Sequence, residues 1–363
     1  MTKDGDQQYD LCVIGCGPGG FAAAMRALDL GKHVCIVEGR EIGGAGVMWG
    51  ALASKTMWEL AKDFAIASQT LRGYRASGLH LDYQAMRDSV LQAVREKQYQ
   101  MLSQIETFSP RRWKGPGSLT FKKGLAAFVS AQVAAIDYPD GRREEIQADY
   151  FVIATGSRPR AFPGIVTDGE RVVDSDTILN LKAFPKRLVI VGAGVIGCEY
   201  ATIFSNFGQT QVYLVDYAER IIPYEDDDVS DFISGNLADN GVHILHSAIL
   251  RDIRHFEDYL QVPLDFDDGH SEVLEVDAAD VRDLRIHRPV AVVIRVDAAL
   301  AGSVVLAEAD AVVRGEDHDR IVPEPQVVDL LQHPPDVAVD QLGLGAVVGP
   351  EVPELLGRVV LGL

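Results

Sequence analysis

The sequence contains few cysteines, and none of them belongs to a Cys-x-x-Cys pair. Among its 363 residues there are four cysteines, at Cys12, Cys16, Cys35 and Cys198. The nine histidines likewise show no spacing typical of a metal site. Cys12 and Cys35 lie in apolar runs that predict strands, so buried free thiols explain the cysteines better than disulfides or metal binding.

Positive charge is also scarce. The chain has 34 Lys and Arg residues against 53 Asp and Glu residues, which gives a net charge of −19. This charge argues against nucleic acid and anionic membranes as partners, and it favours solubility. No apolar run reaches the roughly 18 residues of a spanning helix, and the polar start, Met1 to Gln8, does not resemble a signal peptide. The sequence therefore predicts a cytoplasmic protein.

The C-terminal segment from Ser271 to Leu363 lacks Lys, Phe, Tyr, Trp, Cys, Met, Asn and Thr altogether. It contains 17 acidic residues and 7 arginines. A segment of this size without an aromatic residue is poorly suited to building a hydrophobic core. We predict an atypical tail over 281–363. It is explained either by a shifted reading frame or truncated gene that leaves it poorly ordered, or by a genuine acidic domain packed by Val and Leu.

The stretch that ends at Glu38 carries the strongest positive signal. Leu11 to Ile14 and His33 to Val37 are apolar runs that predict strands, and Phe21 to Leu30 predicts a helix between them. The first strand and the helix are joined by a Gly-x-Gly-x-x-Gly turn: Gly15, Cys16, Gly17, Pro18, Gly19 and Gly20. This order is typical of a dinucleotide-binding unit, in which a pyrophosphate approaches the turn and Glu38 accepts hydrogen bonds from a ribose. The alternative is a plain tight turn between a strand and a helix.

A second unit of the same kind begins at Leu188. A strand, Leu188 to Val191, precedes a second glycine turn, and a helix, Cys198 to Phe207, and a strand, Gln211 to Val215, follow it. The turn consists of Gly192, Ala193, Gly194, Val195, Ile196 and Gly197. The strand ends at Asp216, which favours NAD because a carboxylate repels the 2′-phosphate of NADP. Arg220 nearby weakens that preference, and a simple turn role for Asp216 is the alternative.

The segments between these units also alternate between helix and strand signals. Helices are predicted over Lys55 to Thr70, Tyr83 to Phe108 and Asp231 to Asn240, and strands within Leu125 to Ile153. The sequence therefore predicts an α/β fold with two Rossmann-like dinucleotide-binding units. We place the first dinucleotide-binding unit at 1–159, the second at 160–280 and the atypical tail at 281–363.

The stretch from Gly43 to Lys55 and the Ala154-Thr155-Gly156 sequence resemble the flavin-dependent pyridine nucleotide–disulfide oxidoreductases. Matching Ser54 and Lys55 to the family's Ser-Lys pair puts Gly46 and Ala51 at its two redox cysteine positions. The resemblance therefore implies a chain without the sulfur pair. It is similar to the transhydrogenase-like branch, which has a Trp-Gly pair where Trp49-Gly50 stands here.

The resemblance implies that the unit at 1–159 binds FAD and the unit at 160–280 binds NAD(P). It implies an FAD-dependent NAD(P)H oxidoreductase, in which hydride passes between nicotinamide and flavin without a redox disulfide. It implies that Lys55 lies beside the flavin N5 and pairs with Glu199, and these two are the predicted catalytic residues. Lys55 could instead be a surface lysine on a helix capped by Ser54. Two other readings are a dihydrolipoamide dehydrogenase, which needs the missing cysteines, and an inactive nucleotide-binding remnant.

The cofactor-binding residues follow from the two glycine turns and from the resemblance. The predicted residues are Gly15, Gly17, Pro18, Gly19, Gly20, Glu38, Gly44, Lys55, Thr155, Gly156, Gly192, Gly194, Val195, Ile196, Gly197 and Asp216. The resemblance covers about residues 8 to 280. Beyond it, the family's Gly-Asp pair and dimerisation domain are not found, so the family's homodimer is not expected here. The electron acceptor is left open.

Overall fold

The computed structural model describes residues 8–68 and 78–281, together with the backbone of 292–295. The strands are β1 (Gln8–Ile14), β2 (His33–Glu38), β3 (Ser118–Lys123), β4 (Leu125–Ser130), β5 (Val133–Asp137), β6 (Arg143–Ile153), β7 (Val172–Val173), β8 (Arg187–Val191), β9 (Gln211–Val215), β10 (His243–Leu245), β11 (Ala248–Leu250), β12 (Arg254–His255), β13 (Leu260–Phe266), β14 (Ser271–Val276), β15 (Ala278–Val281) and β16 (Val292–Arg295). The helices are α1 (Pro18–Asp29), α2 (Gly44–Met48), α3 (Ala51–Ser68), α4 (Tyr83–Thr107), α5 (Val195–Asn206) and α6 (Asp227–Asp239).

The chain divides into two compact units. Among the described residues, the first unit combines 8–47, 97–157 and 292–295, and the second combines 48–68, 78–96 and 158–281. The described part of 48–96 therefore belongs to the second unit, whereas the sequence predicts one uninterrupted unit over 1–159. Those boundaries stay predictions.

The first unit is built on a mixed sheet with the strand order β3-β2-β1-β6-β5-β4. The strands β3, β2, β1 and β6 run parallel, and β4 and β5 extend the sheet as antiparallel strands. The helix α1 joins β1 to β2. Because β1 and β6 are in register from Leu11 with Tyr150 to Ile14 with Ile153, both strands end at the same edge of the sheet. That edge is where an open α/β sheet binds its ligands.

The apolar content of β1 and β2 explains their central position. Val13, Val34 and Ile36 are fully buried, as expected for parallel strands covered on both faces. The strand β16 pairs antiparallel with the C-terminal half of β6. The rest of the predicted tail after Val281 lies outside the described residues.

The second unit contains a parallel sheet with the order β10-β9-β8-β15-β7 and a smaller antiparallel sheet formed by β11 to β14. The helix α5 joins β8 to β9. Valines of the parallel sheet, among them Val189 and Val215, share one core with Leu260 and Val262 of the antiparallel sheet. The strand β8, which precedes the second glycine turn, is the central strand of the parallel sheet.

The α/β fold with two strand–turn–helix–strand units is confirmed. The strand Gln211 to Val215 has the predicted bounds, and the first helix begins at Pro18 rather than Phe21. No helix among the described residues is both long and apolar enough to cross a bilayer.

Candidate dinucleotide-binding sites

The first glycine turn is packed so closely that two of its positions require glycine. Gly15 has φ +103°, and a Cβ there would overlap the carbonyl oxygen of Ala154. A Cβ at Gly20 would overlap the carbonyl oxygen of Gly15 and meet the Cβ of Ala154 at 3.1 Å. These contacts hold the start of α1 against the ends of β1 and β6.

The helix α1 begins directly beyond this turn and leaves its first amides available. Gly17 is the N-cap residue and supplies no side-chain cap, and Pro18 occupies the first helical turn. The N–H of Phe21 makes the first intrahelical bond, to the oxygen of Gly17 at 2.9 Å. The preceding N–H groups of Gly19 and Gly20 point out of the helix end, where the helix dipole favours an anion such as phosphate.

Glu38 ties the end of β2 to the first glycine turn. One carboxylate oxygen accepts a hydrogen bond from the backbone N–H of Cys16 at 2.6 Å, and the other accepts from the N–H of Arg40 at 2.6 Å. The side chain is buried, with 8% of the residue exposed. Since a carboxylate has about four acceptor positions, Glu38 keeps acceptor capacity beyond these two bonds.

The segment after Glu38 lies against the first glycine turn with backbone close to backbone. The N–H of Gly43 donates to the oxygen of Cys16 at 2.8 Å. Gly44 has φ +51°, and a Cβ there would lie 3.1 Å from the Cα of Gly17. A Cβ at Gly46 would lie 2.5 Å from Cγ of Pro18. Small residues at 44 and 46 therefore permit this close approach.

Thr155 and Gly156 follow β6 at the same edge of the sheet. The N–H of Ala154 donates to the oxygen of Ile14 at 2.7 Å, which places the two residues after it beside the first glycine turn. Gly156 has φ +76°, is exposed, and has open space where a Cβ would stand. The predicted residues of the first turn, Glu38, Gly44, Thr155 and Gly156 thus lie around one strand edge.

The second glycine turn repeats the geometry of the first. Gly192 has φ +109°, and a Cβ at Gly197 would overlap the oxygen of Gly192. Gly194 is the N-cap of α5 and again provides no side-chain cap. Val195 and Ile196, the first residues of α5, are 67% and 49% exposed. Apolar side chains exposed beside an uncapped helix start suit a surface that a bound molecule covers.

Asp216 repeats the role of Glu38. Its carboxylate accepts from the N–H of Ala193 at 2.6 Å and from the N–H of Ala218 at 2.9 Å, and 4% of the residue is exposed. In both units, an acid at the end of the second strand binds the second residue of the glycine turn and the residue two positions after itself. The bond to Ala193 ties Asp216 to the second glycine turn, and its role toward a ribose stays a prediction.

Lys55 and Glu199 are brought together in the second unit, where α3 packs against α5. The Nζ of Lys55 lies 2.5 Å from Oε1 of Glu199, and the hydroxyl of Ser54 donates to the same oxygen at 3.0 Å. The side chain of Lys55 is 65% exposed, whereas that of Glu199 is 16% exposed. The alternative in which Ser54 caps the helix is wrong, because α3 begins at Ala51 and the buried Ser54 faces Glu199.

The cysteines are free and buried, as predicted. Burial, together with the nearby carboxylate of Glu38, raises the pKa of the Cys16 thiol to about 12. No cluster of three or more metal-ligating side chains occurs in the described part of the chain.

Two residues named in the sequence analysis have surroundings that the sequence did not predict. The indole Nε1 of Trp49 is buried and has no hydrogen-bond partner among the described residues. The Trp-Gly pair drew attention to this position, but only coordinates show an unpaired donor. Arg220 was noted for its charge, whereas its contacts become visible only in the structure.

Comparison with known proteins agrees with this geometry. The model of the family "Pyridine nucleotide-disulphide oxidoreductase" matches residues 9–281. A soluble pyridine nucleotide transhydrogenase from Colwellia psychrerythraea is 36% identical over 266 residues, which are 73% of this chain and 54% of the relative. One from Pseudomonas aeruginosa (strain LESB58) is 37% identical over 240 residues, 66% of this chain and 50% of the relative. A dihydrolipoyl dehydrogenase from Zymomonas mobilis is 28% identical over 245 residues, 68% and 51% of the two chains.

The fold is similar to that of solved flavoproteins. The Cu(II) complex of the HOCl-induced flavoprotein disulfide reductase RclA from Escherichia coli matches with a TM-score of 0.63 and 27% identity, covering 76% of this chain and 56% of the other. The chain spans about half the length of the curated relatives it matches. From the family match over 9–281 and the two glycine turns within it, we conclude that the chain belongs to the pyridine nucleotide–disulphide oxidoreductase family, whose cofactors are FAD and NAD(P).

Proposed function

We propose that this chain is an FAD-dependent NAD(P)H oxidoreductase that transfers hydride between nicotinamide and flavin without a redox disulfide. One observation carries the proposal. In each unit an acid accepts a hydrogen bond from the backbone N–H of the second residue of the glycine turn, as Glu38 does from Cys16 and Asp216 does from Ala193. Such an arrangement holds an uncapped helix start and a ribose-binding carboxylate side by side, which is what a dinucleotide requires.

In the proposal, the first unit holds FAD. The N–H groups of Gly19 and Gly20 bind the pyrophosphate, and the backbone at Gly17 and Gly44 allows it to approach. Glu38 accepts hydrogen bonds from the ribose with its remaining acceptor capacity. Pro18 completes the helix start without adding an N–H that would need a partner.

The second unit holds NAD(P) in the same way. The N–H groups of Val195, Ile196 and Gly197 bind the pyrophosphate at the start of α5, and the exposed side chains of the first two cover the nucleotide. Asp216 accepts from the ribose. The turn of Gly192 and Gly194 keeps the backbone free of side chains at the point of approach.

Lys55 and Glu199 are proposed to tune the flavin site. When bound, FAD supplies the atom that accepts hydride from the nicotinamide. A cation held near that atom favours the electron-rich reduced form, and Glu199 keeps Lys55 in one position with help from Ser54. An exposed ion pair adds little to stability, so the convergence of two donors on one oxygen supports a positioning role.

No cysteine takes part in the proposed hydride transfer. The four cysteines are buried and free, and the resemblance puts Gly46 and Ala51 at the family's cysteine positions. A sulfur-bearing side chain at 46 would also displace the ring of Pro18. These facts argue against dihydrolipoyl dehydrogenase chemistry, although one relative carries that name. The proposed location is the cytoplasm, in keeping with the soluble relatives.

The test is to purify the full chain and record its absorption spectrum. A flavin spectrum that is bleached by NADH or NADPH without oxygen is the expected result. Glu38→Ala should lose the flavin, whereas the control Glu41→Ala, which removes an exposed acid from the same loop, should keep it. A colourless chain that takes up no added FAD would refute the proposal and favour the inactive nucleotide-binding remnant.

A further inference from the structure

The strand β3 is an edge strand of the first unit's sheet, and among the described residues it pairs with β2 alone. The N–H of Ser118 donates toward the β2 side, to the oxygen of Lys32 at 3.2 Å. The N–H of Leu119 donates to the opposite side, to the oxygen of Phe108 at 2.9 Å. Because successive residues of a strand donate to opposite sides, every second N–H from Leu119 onward points away from β2.

Toward the end of β3 this outer side is open. The outward N–H groups of Phe121 and Lys123 have no acceptor in the part of the chain that the structure describes. Both residues also line a cleft of about 460 Å³ between β3 and the turn that joins β5 to β6. The lining residues are Thr120, Phe121, Lys122, Lys123, Tyr138, Pro139, Asp140 and Arg142. An unpaired strand edge beside open space is the kind of surface to which an extended peptide adds as a further strand.

The two walls of the cleft are joined through one carboxylate. The side chain of Lys122 is only 12% exposed, and its Nζ donates to both oxygens of Glu144 at 2.8 and 3.0 Å. From the other wall, the hydroxyl of Tyr138 donates to Glu144 at 2.5 Å. The guanidinium of Arg142 lies over the Tyr138 ring, 4.7 Å from its centroid. The cleft is therefore preformed, which lowers the entropic cost of binding.

Positive charge flanks this edge, although the net charge of the chain is −19. At the end of β3, Lys123 is 43% exposed and lies 3.6 Å from its partner Glu41. Before the start of β3, the loop that leads into the strand carries Arg111 and Lys114. Both are exposed, and neither has an ion-pair partner among the described side chains. The charge along the edge therefore complements an acidic segment.

Two other occupants fit this edge less well. A second copy that paired through the same strand would bring Lys122 and Lys123 of both copies together, and like charges placed opposite each other destabilise a strand pair. Lysine on an edge strand is a common means of preventing such self-association. A nucleic acid would be repelled by the negative charge of the rest of the chain.

We propose that the outer edge of β3 binds an extended acidic segment of a partner protein, which pairs with the N–H groups of Phe121 and Lys123. The main-chain hydrogen bonds supply the affinity, and Lys123, with Arg111 and Lys114 of the preceding loop, selects the sign of the charge. None of these residues belongs to the proposed dinucleotide sites, so the failure of either proposal leaves the other intact.

The experiment titrates the full chain into a fluorescent synthetic peptide of alternating Glu and Val, about six residues long like a typical strand, and measures anisotropy. The wild type should bind this peptide, and a peptide of alternating Lys and Val should bind at least about tenfold more weakly. Lys114→Glu should weaken binding of the acidic peptide by about fivefold to tenfold. The matched control, Lys97→Glu, reverses the charge of an exposed lysine on α4 and should change the affinity by less than about twofold.

A backbone substitution tests the strand pairing itself. Phe121→Pro removes an outward N–H without removing a hydrogen bond to β2, and an edge strand tolerates proline at such a position. It should abolish binding of the acidic peptide, whereas Phe121→Val keeps the N–H and should retain most of the affinity. An acidic peptide with a central proline should bind at least about tenfold more weakly than the uninterrupted one. This peptide decides the question if Phe121→Pro does not fold.

Four results would overturn the proposal. They are no binding of the acidic peptide, equal affinity for the two peptides of opposite charge, equal effects of the two lysine substitutions, and undiminished binding by a folded Phe121→Pro protein. Sedimentation of the chain without peptide gives one more outcome. Self-association that Phe121→Pro abolishes would assign the edge of β3 to a second copy and overturn the assignment of an acidic partner.

Discussion

Lys55 and Glu199 are 144 positions apart in the sequence, yet the Nζ of one lies 2.5 Å from Oε1 of the other. Replacing Lys55 by Met keeps the length of the side chain and removes the charge. We expect flavin reduction by NADH to slow by roughly tenfold to a hundredfold, because the reduced flavin would lose the cation that is proposed to lie beside it. Stopped-flow absorbance of the flavin measures the rate.

The matched control for that change is Lys62→Met on the same helix. Lys62 pairs loosely with Glu59 at 3.8 Å and is exposed. The Lys62→Met substitution should leave the rate of flavin reduction unchanged. A Lys55→Met protein with wild-type rate and wild-type flavin potential would remove Lys55 from the proposed site.

Alanine substitution at two adjacent glycines of the first turn should change the free energy of unfolding differently. At Gly20 the new Cβ overlaps the carbonyl oxygen of Gly15, so Gly20→Ala should destabilise the fold by about 1–3 kcal/mol. At Gly19 there is nothing within 4 Å, and Gly19→Ala should be neutral or stabilising by up to ~1 kcal/mol. Urea unfolding gives both values. Equal destabilisation by the two substitutions would contradict the packing described for α1.

Thiol titration tests the absence of a redox disulfide. Burial and the charge of Glu38 raise the pKa of the Cys16 thiol to about 12, and the other three cysteines are also buried. At neutral pH the native protein should therefore react slowly with a disulfide reagent. After unfolding without reductant, all four thiols should react. Recovery of two thiols under those conditions would show a disulfide and reject the proposal.

Asp10 should make stability depend on acid pH. Its carboxylate accepts from the N–H of His33 at 2.7 Å, and this bond, with a smaller effect of Lys32, lowers its pKa below the ordinary value. A lowered folded-state pKa stabilises the fold above the unfolded pKa, and this stabilisation is lost as pH falls through the folded pKa. Asp10→Asn should be less stable than the wild type at neutral pH, and the difference should shrink as the pH is lowered. A constant difference in the free energy of unfolding across that range would contradict this assignment.

The sequence was sufficient for those features that depend on local chemistry. The glycine turns, the acids Glu38 and Asp216, and the strands on either side of them follow from residue type and spacing. Several strands, β4, β5 and the start of β6 among them, lie within Leu125 to Ile153, as predicted. Buried free cysteines followed from their positions within apolar runs.

Features that depend on distant segments could not be predicted in the same way. The strand β3 has a mixed polar sequence, Ser118–Lys123, and forms because it pairs with β2 along its whole length. The helix α3 starts earlier than its apolar pattern suggests, which moves Ser54 from a cap to a partner of Glu199. The engagement of Arg220 by two carbonyl oxygens carries no sequence signal, since any backbone oxygen can accept such a bond.

The close approach of Gly46 to Pro18 also limits what substitution can achieve in this chain. A single codon change at 46 could introduce a thiol, but its β-carbon would press on the pyrrolidine ring that opens α1. A cysteine introduced there thus demands a compensating shift in the helix that is proposed to hold the flavin phosphates. Position 46 can therefore gain a reactive sulfur only if the start of α1 moves away from it.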